Sequence, residues 1–195
     1  MEQFQNKVEP LIERLREELT EGRFLHSLGV ATCSWTLAKR FGGDADKAYL
    51  AGLLHDCATK LSSEEMLALA LETGLRSARE VSKNPVADYH ARLGATVAQR
   101  NYGVDDPEIL QAIAYHQIGG IPMTTLDMIV SLADAIEPSR KGERIEEIRK
   151  IAERDLLAAY LEKCKFYIGN ILNANQPLAA ERVAVYNYLL KLGES

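Results

Sequence analysis

Apolar residues recur every three or four positions along most of the chain, which is the spacing of one face of an α-helix. One such face consists of Leu25, Leu28, Thr32, Trp35 and Ala38. Residues 44–58 contain AYLAGLLHDCA, which is apolar on all sides until its polar pair His55-Asp56, as expected of a central buried helix. No strand-like alternation, internal repeat or interdomain linker interrupts the pattern. The sequence therefore predicts a single all-α domain.

Capping signals divide the pattern into separate helices. Ser62 and Glu65 form a capping-box pattern that opens a helix ending near Gly74. Asn84-Pro85 and Asp106-Pro107 each pair an N-cap residue with proline at the first helical position, and we expect each pair to start a helix.

The last third of the chain continues the helical pattern. Thr124 and Asp127 resemble another helix start. Beyond Gly142 the sequence predicts a long segment over residues 145–172, a break over 173–177 and a terminal helix that ends near Gly193.

Composition places the chain among ordinary soluble proteins. It has 195 residues, 47% of them hydrophobic, and a net charge of −5, which disfavours broad attraction to nucleic-acid polymers or anionic membranes. Cys33, Cys57 and Cys164 are odd in number and widely spaced, which favours reduced thiols in a cytoplasmic protein. The charged N-terminus does not resemble a signal peptide, and no apolar run approaches the ~20 residues of a membrane span.

The histidines and two aspartates are the candidate metal ligands. In chain order these residues are His26, His55, Asp56, His90, His116 and Asp134. A lone histidine on an apolar face is more often a hydrogen-bonded core residue than a ligand. Here, however, all four histidines of the chain lie on predicted helices, several with apolar neighbours at helical spacing. Neutral imidazole and ionised carboxylate suit divalent iron, manganese or zinc, so we predict that these groups converge on a shared metal site.

Five segments of the chain resemble the YqeK branch of the HD superfamily of metal-dependent phosphohydrolases. The segments are RFLHSLGVA, AGLLHDCATKL, DYHARLGA, AIAYHQIGG and MIVSLADAIEPSR, and the NYLL at 187–190 is also similar. The likeness covers most of the chain from Arg23 onward. It implies one compact helical HD domain over residues 1–195, with a core at about 18–140 and C-terminal helices at about 144–192 packed on it.

The resemblance also implies a reaction, the symmetrical hydrolysis of diadenosine tetraphosphate to two ADP at a dinuclear centre. Iron is the expected metal, with manganese or another transition metal as the alternative. Carried over by position, His26, His55, Asp56 and Asp134 hold one ion, and Asp56, His90 and His116 hold the other, with the Asp56 carboxylate bridging. His55 and Asp56 are the expected catalytic pair, with a hydroxide held between the two ions.

Three basic residues are candidates for binding the substrate phosphates. Arg23 lies three positions before His26, Lys60 follows the His-Asp pair, and Arg140 follows the Asp134 helix. Arginine suits bidentate phosphate recognition, so Arg140 ranks first. Most lysines and arginines, however, are solvated surface charges.

Three departures from the family pattern concern substrate preference rather than the ligands. Lysine usually follows the HD aspartate by three positions, where this chain has Thr59. Gln117-Ile118 replaces a threonine pair, and Tyr186 replaces an arginine.

These departures leave other functions open. The same ligands suit a phosphohydrolase of mononucleotides or cyclic nucleotides, a mixed-valence di-iron oxygenase, or a weakly catalytic metal-bound nucleotide sensor. The expected partner is a nucleotide or dinucleoside polyphosphate, and exposed apolar helix faces permit a homodimer. Residues 73–83 form either a lid or an inert connection.

Overall fold

The computed structural model describes residues 2–75 and 89–193, and within these ranges the chain is α-helical without strands. The helices are α1 (Glu2–Glu18), α2 (Glu21–Phe41), α3 (Ala45–Leu54), a 3-10 helix (Cys57–Lys60), α4 (Ser63–Glu72), α5 (His90–Tyr102), α6 (Pro107–Tyr115), α7 (Thr125–Ile136), α8 (Glu143–Ile151), α9 (Leu156–Asn173) and α10 (Ala180–Leu192). The all-α prediction is confirmed. None of these helices is both long and apolar enough to cross a membrane.

The predicted helix starts are confirmed where the chain is described. Ser62 with Glu65 and Thr124 with Asp127 form reciprocal capping boxes. The Asp106 carboxylate accepts hydrogen bonds from the first backbone N–H groups of α6. The start predicted at Asn84-Pro85 lies outside the described residues, and so does most of the candidate lid.

Two of the predicted segments are shorter in the structure. The stretch expected to be helical to Ala58 ends as α3 at Leu54, and the 3-10 helix follows the His55-Asp56 pair. The long segment over 145–172 consists of α8 and α9, because Asp155 caps a new helix by accepting a hydrogen bond from Ala158 N–H. Periodicity alone did not reveal this break, since apolar spacing continues across it.

Two hydrophobic clusters fill the interior. The first includes Leu15, Leu53, Leu93 and Ile113, and the second includes Leu37, Ile129, Ile148, Tyr160 and Leu189. Helices α2, α3 and α7 contribute buried residues to both clusters and pack against one another. The C-terminal helices α8 to α10 contribute only to the second.

Close approach of α2 to α3 requires a glycine. A Cβ on Gly52 would lie 2.8 Å from Ser34 Oγ and 3.0 Å from the Ala31 Cα. Any larger residue would separate the two helices and displace the end of α3, where the first polar pair of the candidate site is located.

Candidate metal centre

The four histidine rings form a row. His26 lies 5.2 Å from His55 between ring centroids, His55 lies 4.8 Å from His116, and His116 lies 5.3 Å from His90. The rings come from α2, the end of α3, the end of α6 and the start of α5, respectively. The fold therefore brings together residues that are far apart in sequence, as their chemistry predicted.

Three of these rings are held through Nδ1. His55 Nδ1 lies 2.8 Å from the Gly52 carbonyl oxygen, and His116 Nδ1 lies 2.8 Å from the Ile113 carbonyl oxygen. His26 Nδ1 lies 3.0 Å from Glu137 Oε1. A proton on Nδ1 satisfies each of these contacts and leaves Nε2 as the free donor atom for a metal.

The Asp56 carboxylate lies between two groups of histidines. Its Oδ2 is 3.5 Å from His55 Nε2, whereas its Oδ1 is 3.3 Å from His90 Nε2 and 3.8 Å from His116 Nε2. Each oxygen thus faces a different part of the row, which is the arrangement that a bridging carboxylate needs.

Asp134 approaches the row near His26. Its Oδ1 lies 3.1 Å from His26 Nε2 and 3.9 Å from His55 Nε2. Two sets of donors result, each with its atoms within 4.8 Å of one another: His26, His55 and Asp134 form the first, and His55, Asp56 and His116 form the second. All six predicted ligands therefore lie in one cluster, with His90 joined to it through Asp56.

The protonation of this cluster suits a cation. Burial would raise the pKa of Asp56, but the neighbouring His55, His116 and His90 outweigh it and hold that pKa well below its usual range. Burial would also raise the pKa of Asp134, but the hydrogen bond to His26 and the neighbouring His55 outweigh it and lower that pKa strongly. Both carboxylates are therefore ionised at neutral pH.

Two histidines of the cluster differ in their protonation. Burial and the neighbouring His55 lower the pKa of His116 to about 3, so its imidazole stays neutral. Burial would lower the pKa of His55 as well, but the Asp56 and Asp134 carboxylates raise it. A metal ion at this position competes with that proton for the same imidazole. Ionised carboxylates and imidazoles with a free Nε2 form a donor set that fits a divalent transition metal.

Arg23 and Arg140 lie against the ligand carboxylates. The Arg23 guanidinium pairs with Asp56, and Arg140 Nη2 lies 2.8 Å from Asp134 Oδ1 and 3.3 Å from His26 Nε2. Together with Thr20, Gly22, His26 and Ser139 they line a concavity of about 360 Å³, which we call the His26 groove. Both arginines are thus beside the centre, where the sequence analysis placed phosphate-binding groups.

The structure does not bring Lys60 to the ligands. Its ammonium group pairs with the Glu18 carboxylate and lies 5.5 Å from the centroid of the Tyr102 ring. Its role in substrate binding stays a prediction without a contact to support it.

Glu137 is a part of the site that sequence reasoning missed. This buried carboxylate contacts His26 Nδ1 and accepts hydrogen bonds from the Ser139 backbone N–H, at 2.7 Å, and from the Ser139 hydroxyl. The absence of a side chain at Gly29 makes room for it, since a Cβ there would lie 2.7 Å from Glu137 Oε2. The available signal was its position three residues after Asp134, one helical turn along the same chain.

Lys163 is a second residue near the histidine row whose contacts the sequence analysis did not predict. The Lys163 side chain is only 5% exposed and donates to the Ser131 hydroxyl, which in turn donates to the His116 carbonyl oxygen. Burial lowers the pKa of Lys163 to about 8 although Cys164 and Asp134 act in the opposite direction. A lysine in the middle of an amphipathic helix gave no sign of this burial.

The segment that carries all six candidate ligands is similar to known proteins. A family model for the HD domain matches residues 23–139. The symmetrical bis(5'-nucleosyl)-tetraphosphatase of Bacillus subtilis is 37% identical over 176 residues, which cover 90% of this chain and 94% of that protein. The protein of the same name from Halalkalibacterium halodurans is 34% identical over 184 residues, which cover 92% and 95%.

A solved structure shows the same fold. It is a crystal structure from Clostridium acetobutylicum described as a predicted HD superfamily hydrolase involved in NAD metabolism. It superimposes with a TM-score of 0.86 at 32% identity, covering 94% of this chain and 96% of that one.

Proposed function

We propose that this chain, which belongs to the HD-domain family, is a metal-dependent hydrolase that cleaves diadenosine tetraphosphate symmetrically into two ADP. The likeness to the YqeK branch is confirmed by two relatives at 34–37% identity, both symmetrical tetraphosphatases. The observation that carries the proposal is the position of Asp56, whose two carboxylate oxygens face different histidines. A carboxylate placed in this way can hold two cations side by side.

The ligand assignment is the one that the family resemblance implies, and the distances are compatible with it. His26, His55, Asp56 and Asp134 would hold one ion, and Asp56, His90 and His116 the other. The donors are imidazole and carboxylate with no thiolate, which suits iron and also manganese. We propose iron as the native metal and two ions per chain.

The protein side chains bind and orient rather than react. Divalent ions, when bound, bring the pKa of water towards neutrality and offset charge on phosphoryl oxygens. His26, His55 and His116 present fixed Nε2 atoms because their Nδ1 atoms are engaged by backbone carbonyls or by Glu137. Arg23 and Arg140 lie beside the ligand carboxylates, where their guanidinium groups can bind phosphates and stabilise the charge that develops in the transition state.

Three further properties belong to the same proposal. We expect the domain to extend over the whole chain, with α8 to α10 packed on the ligand-bearing core, because they share its second hydrophobic cluster. Cys33, Cys57 and Cys164 are free thiols, which agrees with a cytoplasmic protein. A homodimer stays a prediction.

The test is turnover of diadenosine tetraphosphate by anaerobically prepared, iron-loaded protein, with products separated chromatographically and metal measured on the same sample. ADP as the sole product with about two metals per chain supports the proposal. ATP plus AMP refutes symmetrical cleavage. Absence of turnover at full metal occupancy refutes the activity and turns the search to other nucleotides or to a sensor.

A further inference from the structure

Arg149 connects helix α8 to the turn that follows α7, which spans residues 136–140 and which we call the 136–140 turn. Helix α7 ends at Ile136, and Glu137 leaves the helix with φ −56° and ψ 158°. Pro138 follows and has no backbone N–H with which to continue the helical ladder. The carbonyl groups at the end of α7 therefore need partners from outside the helix.

The Arg149 guanidinium supplies these partners. Its Nε donates to the Ile136 carbonyl oxygen at 2.7 Å, and its Nη2 donates to the carbonyl oxygens of Glu137, at 2.6 Å, and Arg140, at 2.9 Å. The remaining nitrogen, Nη1, donates to the Glu146 carboxylate one turn back along α8. One planar group with several donors thus holds both ends of the 136–140 turn, which the single ammonium of a lysine could not do.

The 136–140 turn carries two side chains that contact the two ring nitrogens of His26. Glu137 Oε1 lies 3.0 Å from Nδ1, and Arg140 Nη2 lies 3.3 Å from Nε2. Because a carboxylate accepts hydrogen bonds and a guanidinium only donates them, this pair favours a proton on Nδ1. Asp134 Oδ1 lies 3.1 Å from Nε2 and favours the opposite tautomer. The position of the turn therefore decides whether Nε2 is free to bind a metal.

We propose that Arg149 is a positioning residue for the His26 end of the metal centre, where it holds the main chain of the 136–140 turn so that Glu137 and Arg140 reach the ring. Only 22% of the Arg149 side chain is exposed, which limits competition from water for its hydrogen bonds. Helix α8 lies beyond residues 23–139, which carry all six candidate ligands. The C-terminal helices would thus help to order a site to which they contribute no ligand. This inference rests on the proposed metal centre.

The first experiment compares Arg149→Lys with Arg40→Lys by NMR. Arg40 is the matched control, because its guanidinium also donates to a carbonyl oxygen at a helix end, that of Ala152 at the end of α8, at 3.1 Å. The chain has only four histidines, so correlation spectra of the imidazole nitrogens in weakly alkaline, metal-stripped protein can separate the rings and give the tautomer of each. We expect His26 to carry its proton on Nδ1 in the wild type and in Arg40→Lys. In Arg149→Lys the proton should shift towards Nε2.

The histidines held by backbone carbonyls are internal references. His55 and His116 should keep their tautomers in Arg149→Lys, because their contacts do not involve the 136–140 turn. Circular dichroism verifies that each variant is folded. Arg149→Gln, which keeps an amide donor without the charge, is the second variant and should give the same shift at His26.

Metal affinity is the second readout. In competition with a chelator, resolved into two binding steps, Arg149→Lys should weaken one metal roughly tenfold and the other less than about twofold, the usual size of an effect exerted from behind a ligand. Arg40→Lys should weaken neither.

Three results would overturn the positioning role. These are a wild-type His26 with its proton on Nε2, an unchanged His26 ring in both Arg149 variants, and the same change at His26 in Arg40→Lys, which would reflect a general loosening of α8. The NMR measurement needs neither metal nor substrate. Its outcome therefore stands even if the wild type fails to cleave diadenosine tetraphosphate and the proposed function falls.

Discussion

The two ends of the histidine row use the same kinds of side chain in different ways. At the His26 end the arginines are already paired with ligand carboxylates, and a buried carboxylate, Glu137, fixes the ring. Beside His90 in the chain, Ala91 and Arg92 line a concavity of about 660 Å³ together with Arg182, and neither arginine forms an ion pair with another described residue. The His116 ring is fixed by a backbone carbonyl. The comparison teaches that side-chain ion pairs order the His26 end of the row, whereas a backbone contact orders the ring at the other.

The largest effect should come from the residue common to both ends. Asp56→Ala removes the carboxylate that faces both groups of histidines, so we expect both metals to be lost and turnover to fall by at least about 10³-fold. Metal content by mass spectrometry and turnover on the same sample measure this. Two bound metals with full activity would remove Asp56 from the centre.

Asp127→Asn is the matched control for that variant. Asp127 is also a buried aspartate, but its carboxylate caps α7 and accepts a hydrogen bond from Gln111. We expect it to cost about 1 kcal/mol of stability through the weakened cap and to leave metal content unchanged.

Replacing one histidine at each end of the row should show which metal each end binds. We expect His26→Ala and His116→Ala each to lose about one metal per chain and most of the turnover. His26→Ala should also lower the melting temperature more, because it takes a hydrogen-bond partner from the buried Glu137 carboxylate, whereas His116→Ala takes one only from a neutral carbonyl. Equal metal loss from both positions in each variant would show that the ions bind as one cooperative unit and not as separable sites.

Glu137→Gln tests whether the carboxylate organises the His26 end. Glutamine keeps the size and one acceptor oxygen but loses the charge, so we expect roughly tenfold weaker binding of one metal, the usual cost of changing a group behind a ligand. Competition with a chelator, resolved into two binding steps, measures it. Unchanged affinity for both metals would make Glu137 a structural residue, as would equal weakening by Ser139→Ala, which leaves the charge in place.

The smallest effects should come from the basic residues, compared as a pair. Arg140→Gln should raise the KM for diadenosine tetraphosphate about tenfold with metal content retained, because its guanidinium lies beside Asp134 and His26. Lys60→Gln should change KM less than about twofold, because its ammonium is already engaged by Glu18. Steady-state kinetics of both variants decide the ranking, and a larger effect at Lys60 would reverse it.

Lys60→Gln should instead change the pH dependence of the stability of the fold. Burial would raise the pKa of Glu18, but hydrogen bonds from Lys60, Tyr102 and Arg14 lower it to about 2 from an ordinary value of 4.5. The carboxylate therefore stabilises the fold fully above pH of about 4.5, and this contribution is lost as the pH falls towards 2. The difference in stability between wild type and Lys60→Gln should be below about 1 kcal/mol at neutral pH and should vanish in acid.

The helices and the ligand set could be predicted from sequence because both depend on local pattern and on residue chemistry. Apolar spacing marks helical faces, and His26, His55, His90 and His116 are the only histidines of the chain. The polar contacts between helices could not be predicted in this way. Whether Lys60 reaches the metals or Glu18, and whether Lys163 is buried, depends on how helices far apart in sequence pack. The contact of Glu137 with His26 could not be predicted for a related reason, since the Glu137 carboxylate occupies space left by Gly29 on another helix.

The ends of α3 and α6 have a consequence for how this centre tolerates change in evolution. His55 and His116 each stand at the C-cap, and each ring contacts a carbonyl in the last turn of its own helix, among the groups that a helix leaves without a regular partner. One residue inserted in that turn would rotate the ring by about 100° and aim Nε2 elsewhere. An insertion in a connecting loop would leave the aim intact. Selection can therefore lengthen the loops around this site freely, while the lengths of two short helices stay fixed.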